Sequence, residues 1–293
     1  MKEIKGCGTA LVTPFGKNSE VDYVAFRILV RRQIAEGIHF LVPLGTTGET
    51  PCLEDNEKLQ LVEITAEESG GRIPVVVGVG SNNTKHVVHN IHMFSKMNVD
   101  GFLVVTPYYN KPTQQGMINH FTTVADSTDK PIIMYNVPAR TSVNMNAETA
   151  LKLGEVKNII ATKEASSNYA QKCEIIRNAP EGFSVLSGND DETLSLIATG
   201  AKGLISVASN IAPKLMSEFV DKLLSGEMED AIALHHKLTP LFKSCFVESN
   251  PIPVKAGMYK MGLLENILRA PLYASTDATL KTMEGTLKEL NLI

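Results

Sequence analysis

Eight short apolar runs, rich in β-branched residues, recur along the chain, and each closes on a small or polar cluster. They are GTALVTPF (8–15), FLVPLG (40–45), IPVVVGVG (73–80), GFLVVTP (101–107), PIIMYNVP (131–138), NIIATKEA (158–165), FSVLSG (183–188) and GLISVAS (203–209). Most are continuously apolar rather than alternating, the pattern of strands covered on both faces. Segments of helical period lie between them. DYVAFRILVRRQIAEG opens on Asp22 as an N-cap and stops at Gly37 as the residue beyond the C-cap. NEKLQLVEITAEESGG and NTKHVVHNIHMFSKMN repeat that plan. The step from strand to strand is about 20–30 residues, the spacing of βαβ units.

Roughly eight such units in about 220 residues predict a closed (β/α)8 barrel, an α/β fold. An open doubly wound sheet usually shows a GxGxxG turn after its first strand. Here the first run leads into TPFGKNSEVD, and GVGSNN after the third run lacks the last glycine. After about Met216 the strand pattern stops. GEMEDAIALHHKLTPLFKSCFVE is amphipathic, and Pro240 is expected to kink or split it. SNPIPVKAGMYKMG and STDATLKTMEGTLKELNLI read as helical after their turns. The expected organisation is a catalytic barrel over residues 1–224 and a C-terminal helical unit over 225–293, packed on the barrel or on another subunit.

Composition narrows the class. The chain has 293 residues, 43% of them apolar, and a net charge of −4 without long basic or acidic blocks. No nucleic-acid footprint and no membrane-surface patch is expected. No apolar run reaches about 18 residues, so no spanning helix is expected. The start, MKEIKGCGTALVTPF, is charged, with a short and interrupted apolar stretch, unlike a signal peptide. Cys7, Cys52, Cys173 and Cys245 form no CxxC pair. They read as small buried residues in a reducing cytoplasm rather than as a disulfide or zinc framework.

In a (β/α)8 barrel the functional face lies at the carboxyl ends of the strands. That rule selects Thr46, Thr47 and Glu49, then Tyr108 and Tyr109, then Tyr135, Asn136 and Arg140. It also selects Lys163 and Glu164, Gly188 to Asp191, and Ser206 with Ser209. Lys163 is the most informative. Alternation along NIIATK puts Ile159, Ala161 and Lys163 on one face; if that face is the barrel interior, desolvation lowers the ammonium pKa and frees an amine nucleophile. Tyr135 shares its face with Ile133 and would stand beside Lys163 as a proton shuttle. GTTG offers backbone N–H groups and two hydroxyls to a carboxylate or phosphate. A carboxylate held near an amine suits a 2-oxo acid. Arg140, just past Tyr135, is the residue type for bidentate carboxylate recognition. Tyr108 and Tyr109 in TPYYNKP suit either the rim of a site or an interface. His86, His89 and His92 drift around an outer helix with no carboxylate to complete a ligand set, so no metal site is expected. His235 and His236 read as packing or surface residues.

GTTGE (45–49), VTPYYNKP (105–112), YNVPART (135–141), IIATKEAS (159–166), LSGND (186–190), GLISVASN (203–210) and NPIPVK (250–255) occur in order over essentially the whole chain. Together they resemble the Schiff-base (class I) pyruvate aldolases, the family of dihydrodipicolinate synthase and N-acetylneuraminate lyase. The YNVPxR segment and the tyrosine pair favour the synthase branch, which condenses pyruvate with L-aspartate 4-semialdehyde in lysine and diaminopimelate biosynthesis. The alternative is another pyruvate aldolase, N-acetylneuraminate lyase or a 2-keto-3-deoxy-sugar-acid aldolase. The resemblance implies that Lys163 forms an imine with pyruvate and that Tyr135 donates and accepts the protons. Thr46 and Tyr109 complete a relay with it, Tyr109 reaching across a subunit interface. Thr47 and Ile205 hold the pyruvate, with Gly188 in the same pocket, and Arg140 meets the carboxylate of the aldehyde. The resemblance further implies a homotetramer, a dimer of tight dimers, with no metal or organic cofactor. Lysine-inhibited members of the family carry a histidine and a glutamate where this chain has Lys58 and His86. Feedback by L-lysine is therefore expected to be weak or absent.

Overall fold

The structure is a computed structural model that describes residues 4–293; residues 1–3, the charged start of the segment read above against a signal peptide, lie outside them. Each apolar run contributes one strand: β1 (Gly6–Ala10), β2 (Phe40–Val42), β3 (Val76–Gly78), β4 (Gly101–Val105), β5 (Ile132–Asn136), β6 (Ile159–Glu164), β7 (Ser184–Ser187) and β8 (Gly203–Ser206). All neighbours pair in parallel, in the order β2-β1-β8-β7-β6-β5-β4-β3. A parallel bridge between Leu41 and Val75 closes the ring, with Leu41 N donating to Pro74 O at 2.9 Å. The expected (β/α)8 barrel is thus the observed fold. The strands are shorter than the runs because the carboxyl end of most runs leaves the sheet to form a loop.

Two apolar clusters follow from the two faces of the strands. Ala10, Phe40, Val42, Val76, Leu103, Ile133, Ala161, Leu186 and Ile205 fill the barrel. Leu41, Val77, Phe102, Val104, Met134, Val185 and Leu204 face the surrounding helices. This two-sided burial is why the runs are continuously apolar.

One expected alternation fails locally. The β5–β6 register shifts between Ile132 and Ile133, which pair with Ile159 and Ala161. The extra residue turns Ile159 into the outer cluster, while Ile160 packs against the inner one. A bulge re-aims the side chains on either side of it. Ala161 and Lys163 still share the interior face; Ile159 does not.

Local signals held for the helices. Asp22 Oδ1 accepts from Ala25 N at 2.9 Å at the start of helix Tyr23–Ala35, and Gly37 beyond its end has φ +87°. Asn83 caps helix Thr84–Ser95. After helix Pro213–Ser225 come Met228–Ser244, Ile252–Lys260 and Asp277–Glu289. Pro240 does not split Met228–Ser244, which runs through it. Leu238, Leu241 and Phe242 are buried around the proline, and that packing outweighs the ~3 kcal/mol cost of the lost bond and clash. The carbonyl it frees belongs to His236, an exposed residue. His235 instead packs between Phe219 and Phe242, with ring centroids 5.9 and 5.8 Å away. All four cysteines are unpaired; Cys7 and Cys245 are buried, but Cys52 and Cys173 only half-buried. Among the described residues no helix is long and apolar enough to cross a membrane.

Candidate active site

The carboxyl ends of β5 and β6 bring two reactive groups side by side. Tyr135 and Lys163 are register partners on these adjacent strands. Both point into the barrel, and the Lys163 Nζ stands 4.3 Å from the centre of the Tyr135 ring. Only 5% of Lys163 is exposed. Burial pushes its pKa down to about 8, against the pull of the Asp190 carboxylate, and the Arg140 charge adds to the depression. A lysine that is part free amine near neutral pH, in a cavity of about 630 Å³, is a ready nucleophile. Burial raises the Tyr135 phenol pKa, while the Arg140 charge and a hydrogen bond with Thr46 lower it.

The threonine stretch lines the same cavity, with Thr46 beside Tyr135. Residues Thr46–Gly48 form a single 3-10 turn directly after β2. Gly48 N and Glu49 N donate back to Gly45 O and Thr46 O, whereas the first amides of such a turn have no partner within it. Thr46 is exposed and lines the cavity; Thr47 is buried and lines it too. The loop presses so closely on β3 that a Cβ at Gly78 would lie 2.0 Å from Leu44 O. Leu44 and Glu49 bracket the turn with φ +58° and +53°, and Tyr109, Lys111 and Ser142 in the loops after β4 and β5 are also left-handed. Non-glycine strain of this kind concentrates at functional loops.

Arg140 lines the same cavity and donates from Nη2 to Asn250 O at 3.1 Å. Gly188 lines it as well; a Cβ there would meet the Ala165 Cβ at 2.6 Å, so only glycine lets the loop after β7 lie against β6. Ile205 is wholly buried in the barrel interior, below the lining residues Ala10 and Val207. Tyr109 is not brought to Lys163 within one chain. It lines neither of the two large cavities and is 88% exposed.

Several supporting residues carried no assigned role in the sequence. Asp190 accepts from the Ser206 hydroxyl, Val207 N and Ala208 N, so it ties the loop after β7 to the end of β8. Glu164 accepts from Asn136 Nδ2 and Ser166 N, joining β5 to the loop after β6. Asn250 Nδ2 donates to Thr47 Oγ1 at 3.0 Å. Lys255 Nζ, fully buried, donates to Glu49 Oε1 at 2.7 Å and to Thr13 O at 2.9 Å. Burial drives the Lys255 pKa down to about 8, with Glu49 opposing. IIATKEAS, LSGND, GTTGE and NPIPVK flagged these positions, but periodicity alone could not show that residues near 250 cover a loop near 47.

The sequence profile of the dihydrodipicolinate synthetase family matches residues 3–290. The chain belongs to the dihydrodipicolinate synthetase family. It is 45% identical over 293 residues to the 4-hydroxy-tetrahydrodipicolinate synthase of Thermotoga neapolitana, covering 99% of each. The crystal structure of dihydrodipicolinate synthase from Thermotoga maritima is 44% identical, with a TM-score of 0.96 over 99% of both chains. That of the chloride-inhibited dihydrodipicolinate synthase from Acinetobacter baumannii, complexed with pyruvate, is 35% identical. Its TM-score is 0.97, over 99% of this chain and 100% of that one.

A second cavity of about 720 Å³ backs onto the first and shares Thr46, Tyr135 and Arg140 with it. Asp55, Lys58, Ser81, His86 and Tyr108 line its outer part. Among the described residues the carboxylate lining it is Asp55, paired with Lys58 Nζ at 3.0 Å. Lys58 itself lines the cavity, so an incoming ammonium meets a like charge directly rather than a free glutamate. L-Lysine at 1 mM is expected to inhibit steady-state turnover by less than half; half-inhibition below ~1 mM, roughly −4 kcal/mol of binding, would overturn that expectation.

Proposed function

We infer that this chain is a 4-hydroxy-tetrahydrodipicolinate synthase that condenses pyruvate with L-aspartate 4-semialdehyde through a lysine-bound enamine. The observation that carries this reading is the buried Lys163 amine beside the Tyr135 ring, in one cavity with Thr46, Thr47 and Arg140. The Lys163 nitrogen adds to the keto carbon of pyruvate, and loss of water leaves a protonated imine. That imine is an electron sink, so the methyl carbon gives up a proton and becomes the enamine nucleophile. It attacks the aldehyde carbon, whose oxygen takes up a proton. The amino group of the new chain then adds to the imine carbon and expels the Lys163 amine, closing a six-membered ring.

Tyr135 serves the proton transfers, with Thr46 next in the relay and Tyr109 supplied by a neighbouring subunit. The outward, left-handed Tyr109 supports that assignment. Thr47 and Ile205 hold the pyruvate and Gly188 leaves room for it. Arg140 takes the carboxylate of the aldehyde. We further read the assembly as a homotetramer of paired dimers and the setting as cytoplasmic; the four unpaired cysteines support a reducing environment.

The test is a coupled assay with pyruvate that compares L-aspartate 4-semialdehyde with neutral sugar aldehydes. Arg140→Ala is expected to lower kcat/KM for the semialdehyde by about 10- to 100-fold, the value of a charge-assisted carboxylate contact, and to leave imine formation intact. Faster turnover of a sugar aldehyde by the unaltered enzyme would replace this reading by the sugar-acid aldolase one.

A further inference from the structure

The mechanism leaves one acid in the active cavity unused. Glu192 closes the short turn Asp190–Glu192 and lines the same cavity as Lys163 and Arg140. Its Oε2 is gripped from two sides. Asn189 Nδ2 donates to it at 2.7 Å, and the Lys172 ammonium is its second donor. The Lys172 side chain is wholly buried on helix Tyr169–Asn178, behind the cavity wall. A buried ammonium demands a fixed partner, so this pair pins the Glu192 carboxylate in place. Oε1 accepts no hydrogen bond among the described residues, and the side chain keeps 30% exposure. Arg140, held by Asn250 O, lines the same cavity with the opposite charge.

One cavity therefore offers a guanidinium and a pinned carboxylate with a spare acceptor. An α-amino acid carries the complementary pair, a carboxylate and an ammonium on one carbon. We propose that Glu192 is a specificity-determining residue that receives the α-ammonium of the aldehyde substrate, and that Lys172 positions it. This rests on the reading of the second substrate as an amino-acid aldehyde held by Arg140. No covalent step is assigned to Glu192. It selects the zwitterion as it binds, and the amine later loses its proton to close the ring. A binding wall with Arg140 alone would accept any aldehyde acid; the added carboxylate makes the amino group count, because a site built to pair with a group rejects the analogue that lacks it.

The experiment compares L-aspartate 4-semialdehyde as substrate with 4-oxobutanoate, which has the same aldehyde and carboxylate but no amine, as competitor. Glu192→Gln is expected to lower kcat/KM for the amino aldehyde by about tenfold or more. The inhibition constant of 4-oxobutanoate should move by less than about twofold. Pyruvate KM and borohydride trapping on Lys163 should stay unchanged. Because Glu192→Gln strands a buried cation, the double variant K172M/E192Q is measured beside it; removing both partners spares the fold and is expected to show the same selective loss. Equal losses for both compounds, or no loss for either, in an enzyme that turns over the semialdehyde would refute the role of Glu192 alone. Failure of the unaltered enzyme to use the semialdehyde at all would instead sink the functional reading, and this one with it.

Discussion

Lys163→Ala is expected to lower kcat by about a thousandfold or more, and Lys163→Arg to do no better. The loss has a specific cause. The imine splits one difficult carbon–carbon step into easier ones, and among the described residues no other side chain lining the cavity carries an amine to replace it. Arginine keeps the charge but stays protonated, so it offers no lone pair. Borohydride with pyruvate should add one reduced pyruvate to Lys163 of the unaltered enzyme and leave the variants unmodified. The same chemistry sets the pH dependence. Burial lowers the Lys163 pKa to about 8, so the free amine grows as pH rises through that value and levels off above it. The rate of imine formation should fall about tenfold per unit well below pH 8. A flat profile from pH 6 to 9, or a trapped adduct on another residue, would defeat the assignment.

Lys255→Met carries the largest expected effect on stability. It strips the partner from Glu49, a carboxylate that is wholly buried and otherwise held by Arg269 N at 3.0 Å. Leaving one member of a buried ion pair costs about 3–5 kcal/mol, since the remaining charge keeps its desolvation penalty without its attraction. For a chain of this size the unfolding midpoint should drop by on the order of 10 °C. Glu49 ends the threonine turn, so the damage should also raise the KM for pyruvate. The double variant E49L/K255M removes both charges and is expected to recover most of the midpoint. If Lys255→Met unfolds within a degree or two of the parent, the pair does not fasten the turn.

The two cases differ in how far they were legible beforehand. Lys163 and Tyr135 could be read because strand alternation and the carboxyl-end rule are local. Each needs only the residues beside it and the knowledge that the sheet is a closed parallel barrel. Even there the reach was limited: the bulge that sends Ile159 outward left no mark in the pattern. The run through Pro240 was hidden in the same way. A single-residue rule foresaw a break, and burial of Leu238, Leu241 and Phe242 from elsewhere in the fold overrode it. Lys255 and Glu49 were opaque for a different reason. They are separated by 206 residues, and nothing in either neighbourhood specifies the other. Glu192 and Lys172 lie only 20 apart, yet one ends a turn and the other sits on a helix, so their meeting depends on how that helix lies against β7 and its loop.

By itself, then, the chain's pattern of apolar runs and helical segments determined the eight parallel strands, their order of reading and the set of side chains at their carboxyl ends. Tertiary structure alone decided which of those side chains face each other, how dry Lys163 is, and which distant charges hold the threonine turn. The physical reason is the range of the forces involved. Strand and helix periodicity is written in neighbouring residues. Desolvation and ion pairing depend on everything within a few ångströms in space, and the closed barrel brings together residues drawn from both ends of the chain.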